Sequence, residues 1–169
     1  GQFIMIRDGT AAHNLEALVD LLRQPYYDRC MFCTDDKHPS DLLEKGHIDY
    51  LIRKAIHYGI DPIVAVKTAC HNPARYFALN NRGAIAPGYL ADFAIIDNFD
   101  DFNVEMVFRK GSTADGEEIL SGDDVTSATA GYNQENGYVV QLQFSADGAK
   151  KFAEATTELA AQSNGTISI

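Results

Sequence analysis

The sequence predicts an α/β fold that opens with a parallel strand–helix–strand unit and closes with a smaller α+β segment of different texture. Two apolar stretches, residues 3–6 and 29–34, flank a segment over 11–23 in which Leu15, Leu18, Val19 and Leu22 recur at helical spacing. The second stretch is apolar on both faces, as in a parallel strand covered by helices. Strand, helix, strand then makes one right-handed crossover. A later stretch, residues 138–144, instead alternates: Val140, Leu142 and Phe144 on one side, Gln141 and Gln143 on the other. That pattern suits a half-exposed antiparallel strand.

The charge divides the chain at the same place as the texture. Residues 1–111 carry 12 basic and 15 acidic side chains, a net of −3, whereas residues 112–169 carry 2 and 9, a net of −7. All five His and all three Cys precede residue 72. Two unrelated pieces joined near Gly111 are therefore expected. The whole chain, 169 residues with a formal charge of −10, suits one ordinary domain or two small ones. Its acidity argues against a nucleic-acid or anionic-membrane surface. No apolar run is long enough to span a bilayer. No basic-then-apolar leader is visible, and the opening residues read as a strand already under way, as in a piece of something longer. Cys30, Cys33 and Cys70 form no disulfide framework, so a reduced setting is expected; Cys30-x-x-Cys33 lies in an apolar strand and lacks the second pair a zinc site would need, so buried thiols are expected there.

The elements follow in order. Asp8 or Thr10 is available to cap the helix over 11–23, and Pro25 ends it. After the second strand comes a loop, then a short acidic helix, 41–44, with Ser40 as its cap. Residues 47–58 make an amphipathic helix closed by Gly59, which favours a left-handed cap. Asp61-Pro62 starts another helix, Asn72-Pro73 punctuates, and 74–79 is a further short helix. Pro87-Gly88 turns the chain into a buried strand over 93–96, and 104–108 is another strand. A polar acidic connector follows over 112–118, then Ile119-Leu120 and an Asp123-Asp124 turn. Ser145 caps a helix over 146–161, whose Lys150 and Lys151 read as an exposed face. Asn164-Gly165 turns into a last strand, 166–169.

The candidate site lies where the second strand ends, in Cys30-Met31-Phe32-Cys33-Thr34-Asp35-Asp36-Lys37-His38-Pro39. An apolar strand that stops at two carboxylates can deliver an acid to a site at its C-terminal end. Asp35 is the candidate catalytic residue, with a loop or helix-capping carboxylate as the bland alternative. Asp36, His38 and Arg7 are candidates for supporting roles or substrate contact. Each has its own bland reading: a cap for Asp36, a solvated loop for His38, an ion pair with Asp8 or a neighbour for Arg7. His47 reads as capping or packing against its helix.

Four blocks in this order carry a resemblance: residues 5–12 (Met-Ile-Arg-Asp-Gly-Thr-Ala-Ala), 32–39 (Phe-Cys-Thr-Asp-Asp-Lys-His-Pro), 44–49 (Glu-Lys-Gly-His-Ile-Asp) and 83–92 (Gly-Ala-Ile-Ala-Pro-Gly-Tyr-Leu-Ala-Asp). Over residues 1–111 the chain resembles the C-terminal part of the catalytic region of bacterial adenine deaminases, of the amidohydrolase superfamily. The resemblance implies the last portion of a metal-dependent (β/α)8 barrel: strands seven and eight with their helices over 1–82, and strands of the small β-domain over 83–111. It implies a cytoplasmic hydrolase converting adenine to hypoxanthine and ammonia in purine salvage. It further implies that Asp35 is a metal ligand that takes the proton from metal-activated water. The family's centre is binuclear, holding Mn, Fe or Zn. None of His13, His38, His47, His57 and His71 matches the family's histidine ligands, so this chain alone is expected neither to retain metal nor to turn over adenine. The uncovered edges of a partial barrel sheet are expected to drive self-association.

Residues 112–169 resemble something else. The runs Glu118-Ile119-Leu120-Ser121-Gly122-Asp123-Asp124 and Gly148-Ala149-Lys150-Lys151-Phe152-Ala153-Glu154-Ala155-Thr156 are similar to the extracytoplasmic region of SecD, a subunit of the bacterial protein-export machinery. That resemblance implies a non-enzymatic module handling translocated polypeptide. The joining of the two implies a chimeric gene assembly or an artificial fusion, which as such has no function of its own.

Overall fold

The computed structural model describes residues 1–110, 122–133 and 137–162. They fall into two compact units: Gly1–Gly83 with Phe99–Phe102, and Ala84–Asn98 with the described residues from Asn103 onward.

The first unit is built on two parallel strands, β1 (Ile4–Arg7) and β2 (Cys30–Cys33), in register from Ile4 opposite Cys30 to Arg7 opposite Cys33. Strand geometry sends alternate side chains to opposite faces. Ile6 is accordingly fully buried, while Met5 and Arg7 are exposed. The crossover contains less helix than its periodicity suggests. α1 spans only Leu15–Leu18, and Val19–Leu22 tightens into a 3₁₀ turn. The physical reason lies upstream. Asp8 forms an antiparallel bridge with His13, and the Gly9 amide donates to the Ala12 carbonyl at 3.0 Å, so residues 8–13 cannot also be helical. Asn14, not Asp8 or Thr10, occupies the N-cap position.

Helices α2 (Pro39–Lys45), α3 (Ile48–His57), α4 (Pro62–Ala69) and α5 (His71–Tyr76) follow. α2 is capped by His38, whose ring nitrogen accepts from the Ser40 amide, and not by Ser40. Pro39 at its first position fixes a helical φ where no N–H partner is needed. α3 buries Leu51, Ile52 and Ala55 and ends at Gly59, whose φ of +79° is the left-handed conformation that favours glycine. Asp61 caps α4, accepting from the Ile63 and Val64 amides at 2.8 and 3.2 Å. α5 runs through Asn72-Pro73 instead of breaking there. Pro73 falls in the first turn, where its missing N–H costs no intrahelical bond. Asn72 is fully buried, and its Nδ2 donates to the carbonyls of Tyr27 (2.9 Å) and Cys30 (2.7 Å). One amide thus fastens α5 to the entry of β2.

The second unit pairs β3 (Phe93–Ile96) with β4 (Val104–Phe108), and β5 (Val125–Asn133) with β6 (Gly137–Phe144), both antiparallel; α6 (Ala146–Gln162) follows. β3 is half-exposed rather than buried, because Ala94 and its partner Val107 lie on an open face. β5 has no clear sequence signal. Its Ser, Ala, Thr and Gly content gives a weak strand preference that pairing with β6 overrides. In β6, Gln141 and Gln143 are exposed and Leu142 and Phe144 half-buried, as the alternation requires. The Ser145 hydroxyl accepts from the Gly148 amide at 3.0 Å and caps α6. Lys150 and Lys151 are exposed, as expected, and the Lys151 ammonium also donates at 3.0 Å to Asp124, a buried carboxylate in the 3₁₀ turn Gly122–Asp124. The connector at 112–118, Ile119-Leu120 and the expected turn and strand over 164–169 lie outside the described residues.

Replacing Asn72 by Ala leaves two carbonyls at the start of β2 without their donor. Chemical unfolding is expected to show a loss of about 2 kcal/mol. An unchanged midpoint would mean that this amide does not fasten α5.

Candidate active site at the ends of the parallel strands

Parallel pairing brings the chain out of β1 and β2 at the same end, so the loops that follow meet there. The arrangement starts with Gly9. A Cβ at this position would run into the Asp36 carboxylate and come 2.6 Å from the Thr34 carbonyl. Only glycine permits that approach. Asp36 uses it to accept the Ala11 and Ala12 amides at 3.0 and 3.2 Å. Those backbone donors hold its carboxyl below the usual range. Thr10 adds a second tie: its hydroxyl accepts from the His38 amide at 2.7 Å and donates to Asp41 at 2.6 Å. The two loops are thus sewn together by side chains from both.

Asp35 sits between these ties, with a φ of +52°. That left-handed conformation is uncommon outside glycine, and Asp is among the residues that tolerate it. Its carboxylate forms an ion pair with the guanidinium of Arg7, from the last residue of β1. Both side chains are nearly half-exposed, so the pair is water-screened and contributes little to stability. Below it, Cys33 is a half-buried thiol, pushed up by burial and by the Asp35 carboxylate, and Cys30 is buried and pushed up by burial. Both therefore stay protonated.

Asp8 lies on the opposite face from Arg7, following the alternation Ile6, Asp8. It pairs not with Arg7 but with Lys54 of α3 (2.6 Å) and with Nδ1 of His13 (2.6 Å). Asp8 is 1% exposed, and Lys54 is part-buried. Burial drives the Asp8 carboxyl up, but the bonds and charges of Lys54 and His13 outweigh it and hold the carboxyl below its ordinary value. The same partner, against burial, holds the Lys54 ammonium above its own. Lys37 spans from the Asp8 carbonyl (3.5 Å) to the Tyr50 ring (4.4 Å to its centroid).

The sequence-derived candidates therefore separate. Arg7 and Asp35 come together. Asp36 joins loop to loop, with its carboxylate on backbone amides. The His38 ring bonds Ser40 at 2.9 Å and serves α2. His47 makes no side-chain cap bond; its Nε2 meets the Thr34 hydroxyl at 3.2 Å. Sequence reasoning missed Asp8 as the buried centre of this end. The signal was its phase: two residues after the buried Ile6, it points at the helix layer.

A parallel strand pair joined by a helical crossover defines an α/β unit. The chain belongs to the amidohydrolase family, whose model matches residues 6–114. A second model, the P1 head subdomain of SecDF, matches residues 103–167. Among relatives, an adenine deaminase of Kosmotoga olearia is 53% identical over 64% of this chain and 19% of its own length. Those of Thermosipho africanus (49%, over 64% of this chain and 19% of that protein) and Desulfatibacillum aliphaticivorans (46%, over 66% and 20%) are similar. The chain thus spans about a fifth of the length of these relatives. A solved β-aspartyl dipeptidase of Fervidobacterium islandicum, in complex with a β-Asp-Leu dipeptide, shares the fold. Its TM-score is 0.53 at 23% identity, covering 73% of this chain and 34% of that one.

The family implies a metal centre. Among the described residues, no three His, Cys, Asp or Glu side chains converge as a metal would require. Asp35 is neutralised by Arg7, Asp36 by backbone amides, and Asp8 by Lys54. These residues alone do not fit such a centre.

Because the Asp8 carboxyl is held low, its contribution to stability is full above its unfolded value of about 4 and is lost as pH falls through the lower folded value. The Lys54 contribution is full below its unfolded value of about 10.4 and is lost as pH rises through the higher folded value. The Asp8→Asn variant is expected to be less stable near neutral pH by about 2–3 kcal/mol. Its unfolding free energy should also fall less steeply below pH 4 than that of the parent chain. Parallel acid limbs for the two would contradict the assignment. Gly9→Ala is expected to lower the melting temperature, since its Cβ displaces the Asp36 carboxylate; an unchanged melt would argue against the loop tie.

Proposed function

We propose that residues 1–111 are the closing portion of the catalytic region of an adenine deaminase-type amidohydrolase, and that Asp35 is the carboxylate this portion contributes to the reaction. The observation that carries the reading is the pairing of Arg7 with Asp35 at the shared end of two parallel strands, within a stretch 53% identical to an adenine deaminase. In this reading β1 and β2 are strands seven and eight of a (β/α)8 barrel, residues 1–82 their barrel portion, and 83–111 strands of the small β-domain. The complete enzyme would take adenine and water to hypoxanthine and ammonia in the cytoplasm. The role of this chain's own groups is limited. Asp35 offers an exposed carboxylate that can accept a proton, Arg7 neutralises and orients it, and Asp36 fixes the loop that carries it. Because none of His13, His38, His47, His57 and His71 matches the family's histidine ligands, this reading expects the chain by itself not to deaminate adenine.

A second reading applies to residues 112–169 and is favoured by the SecDF P1 head match. This segment is a SecD-like, extracytoplasmic, non-enzymatic module, joined to the hydrolase portion as a chimera.

Incubating the purified chain with adenine and added Mn, Fe or Zn is expected to release no ammonia. Steady turnover that disappears in Asp35→Ala would overturn the claim of inactivity while supporting the role of Asp35. Gel filtration is expected to show self-association through the open edges of β1 and β2; a sharp monomeric peak would count against it.

A further inference from the structure

We propose that the SecD-like segment and the β3–β4 hairpin share one apolar core, so that the segment covers the face of the hairpin that would otherwise stand open.

A lone two-stranded hairpin is at best marginally stable in water. In β3–β4, Phe93 pairs with Phe108 and Ile95 with Met106, so these four side chains share one face. The Phe93 and Phe108 rings stack with centroids 4.5 Å apart. Phe108 is only 2% exposed, and Ala91, just before β3, is 8% exposed. The opposite face is open, with Val107 58% exposed. The buried face therefore has a cover, and within this unit the cover is visible. A void of about 20 Å³ is lined by Ile85, Leu90 and Phe93 on the hairpin side and by Val125, Leu142 and Phe144 on the other. Tyr89 and Asp92 also line it, at the edge of the apolar side chains. It is a packing gap inside a shared apolar contact.

The covering side is itself fixed. Val125 opposes Phe144 across β5–β6, and Phe144 stacks on Phe152 of α6 with centroids 4.9 Å apart. Leu142, two residues from Phe144, lies on the same face. One aromatic pair thus closes each side of the gap. The two family matches also overlap over residues 103–114, a range that includes all of β4. Thermodynamic coupling through such a core is reciprocal.

The test is hydrogen exchange by NMR on the full chain, with Leu142→Ser and, separately, Leu90→Ala. With Leu142→Ser, the amides of Ala94, Ile95 and Met106 are expected to lose protection by tenfold or more, while Leu51 and Ile52 in α3 stay as in the parent. If that variant unfolds β5–β6 altogether, hairpin protection is still expected to collapse; retention of parental hairpin protection overturns the proposal in either case. With Leu90→Ala, the amides of Leu142 and Phe144 are expected to lose protection in turn. Combining the two substitutions should cost measurably less than the two effects added together; strict additivity overturns the shared core.

Discussion

Asp8 is the constraint on which the strand-end architecture depends. A carboxylate buried at the end of β1 must find cations or donors, because an unpaired buried charge is costly. It finds Lys54 from α3 and His13 from its own loop. One side chain thereby joins the strand layer to the helix layer and folds residues 8–13 back on themselves. That fold-back shortens α1 and brings the Ala11 and Ala12 amides into line for Asp36. The outward pair, Arg7 and Asp35, lies between two anchored carboxylates, the buried Asp8 and the exposed Asp36. Strand alternation sends Arg7 outward and Asp8 inward.

Much of this was legible in the sequence. The parallel unit could be read from two apolar runs around a helical repeat, and the Asp61-Pro62 start of α4 and the Gly59 stop of α3 from local backbone preferences. Asp35 and Arg7 stood out because each ends an apolar run at the same end of the sheet. What stayed hidden was set by distant partners. The loss of helix over 11–13 follows from the fold-back of residues 8–13, whose Asp8 is held by Lys54, 46 positions further on. The continuation of α5 through Asn72-Pro73 follows from a side chain that serves β2. β5 exists because β6 pairs with it, and the bond from Lys151 to Asp124 joins segments 27 positions apart. Local preference describes segments, whereas these features belong to pairs of segments.

The two family matches divide the chain unequally and overlap at β4. In the amidohydrolase part, Asp35 is exposed and paired with Arg7 at the strand ends. The remaining carboxylates at that end are consumed by structure. The order seen around Asp35 is accompanied by loop-to-loop hydrogen bonds from Asp36 and Thr10. This explains how the loop can hold a left-handed aspartate using only groups from its own chain.

The most direct test of this account is amide exchange at Ala11 and Ala12 in the parent chain and in Asp36→Ala. The account predicts that both amides are protected in the parent and exchange at least tenfold faster in the variant, with Leu51 unchanged. Free exchange of Ala11 and Ala12 in the parent would contradict it, because the loops that present Arg7 and Asp35 would then not be sewn together.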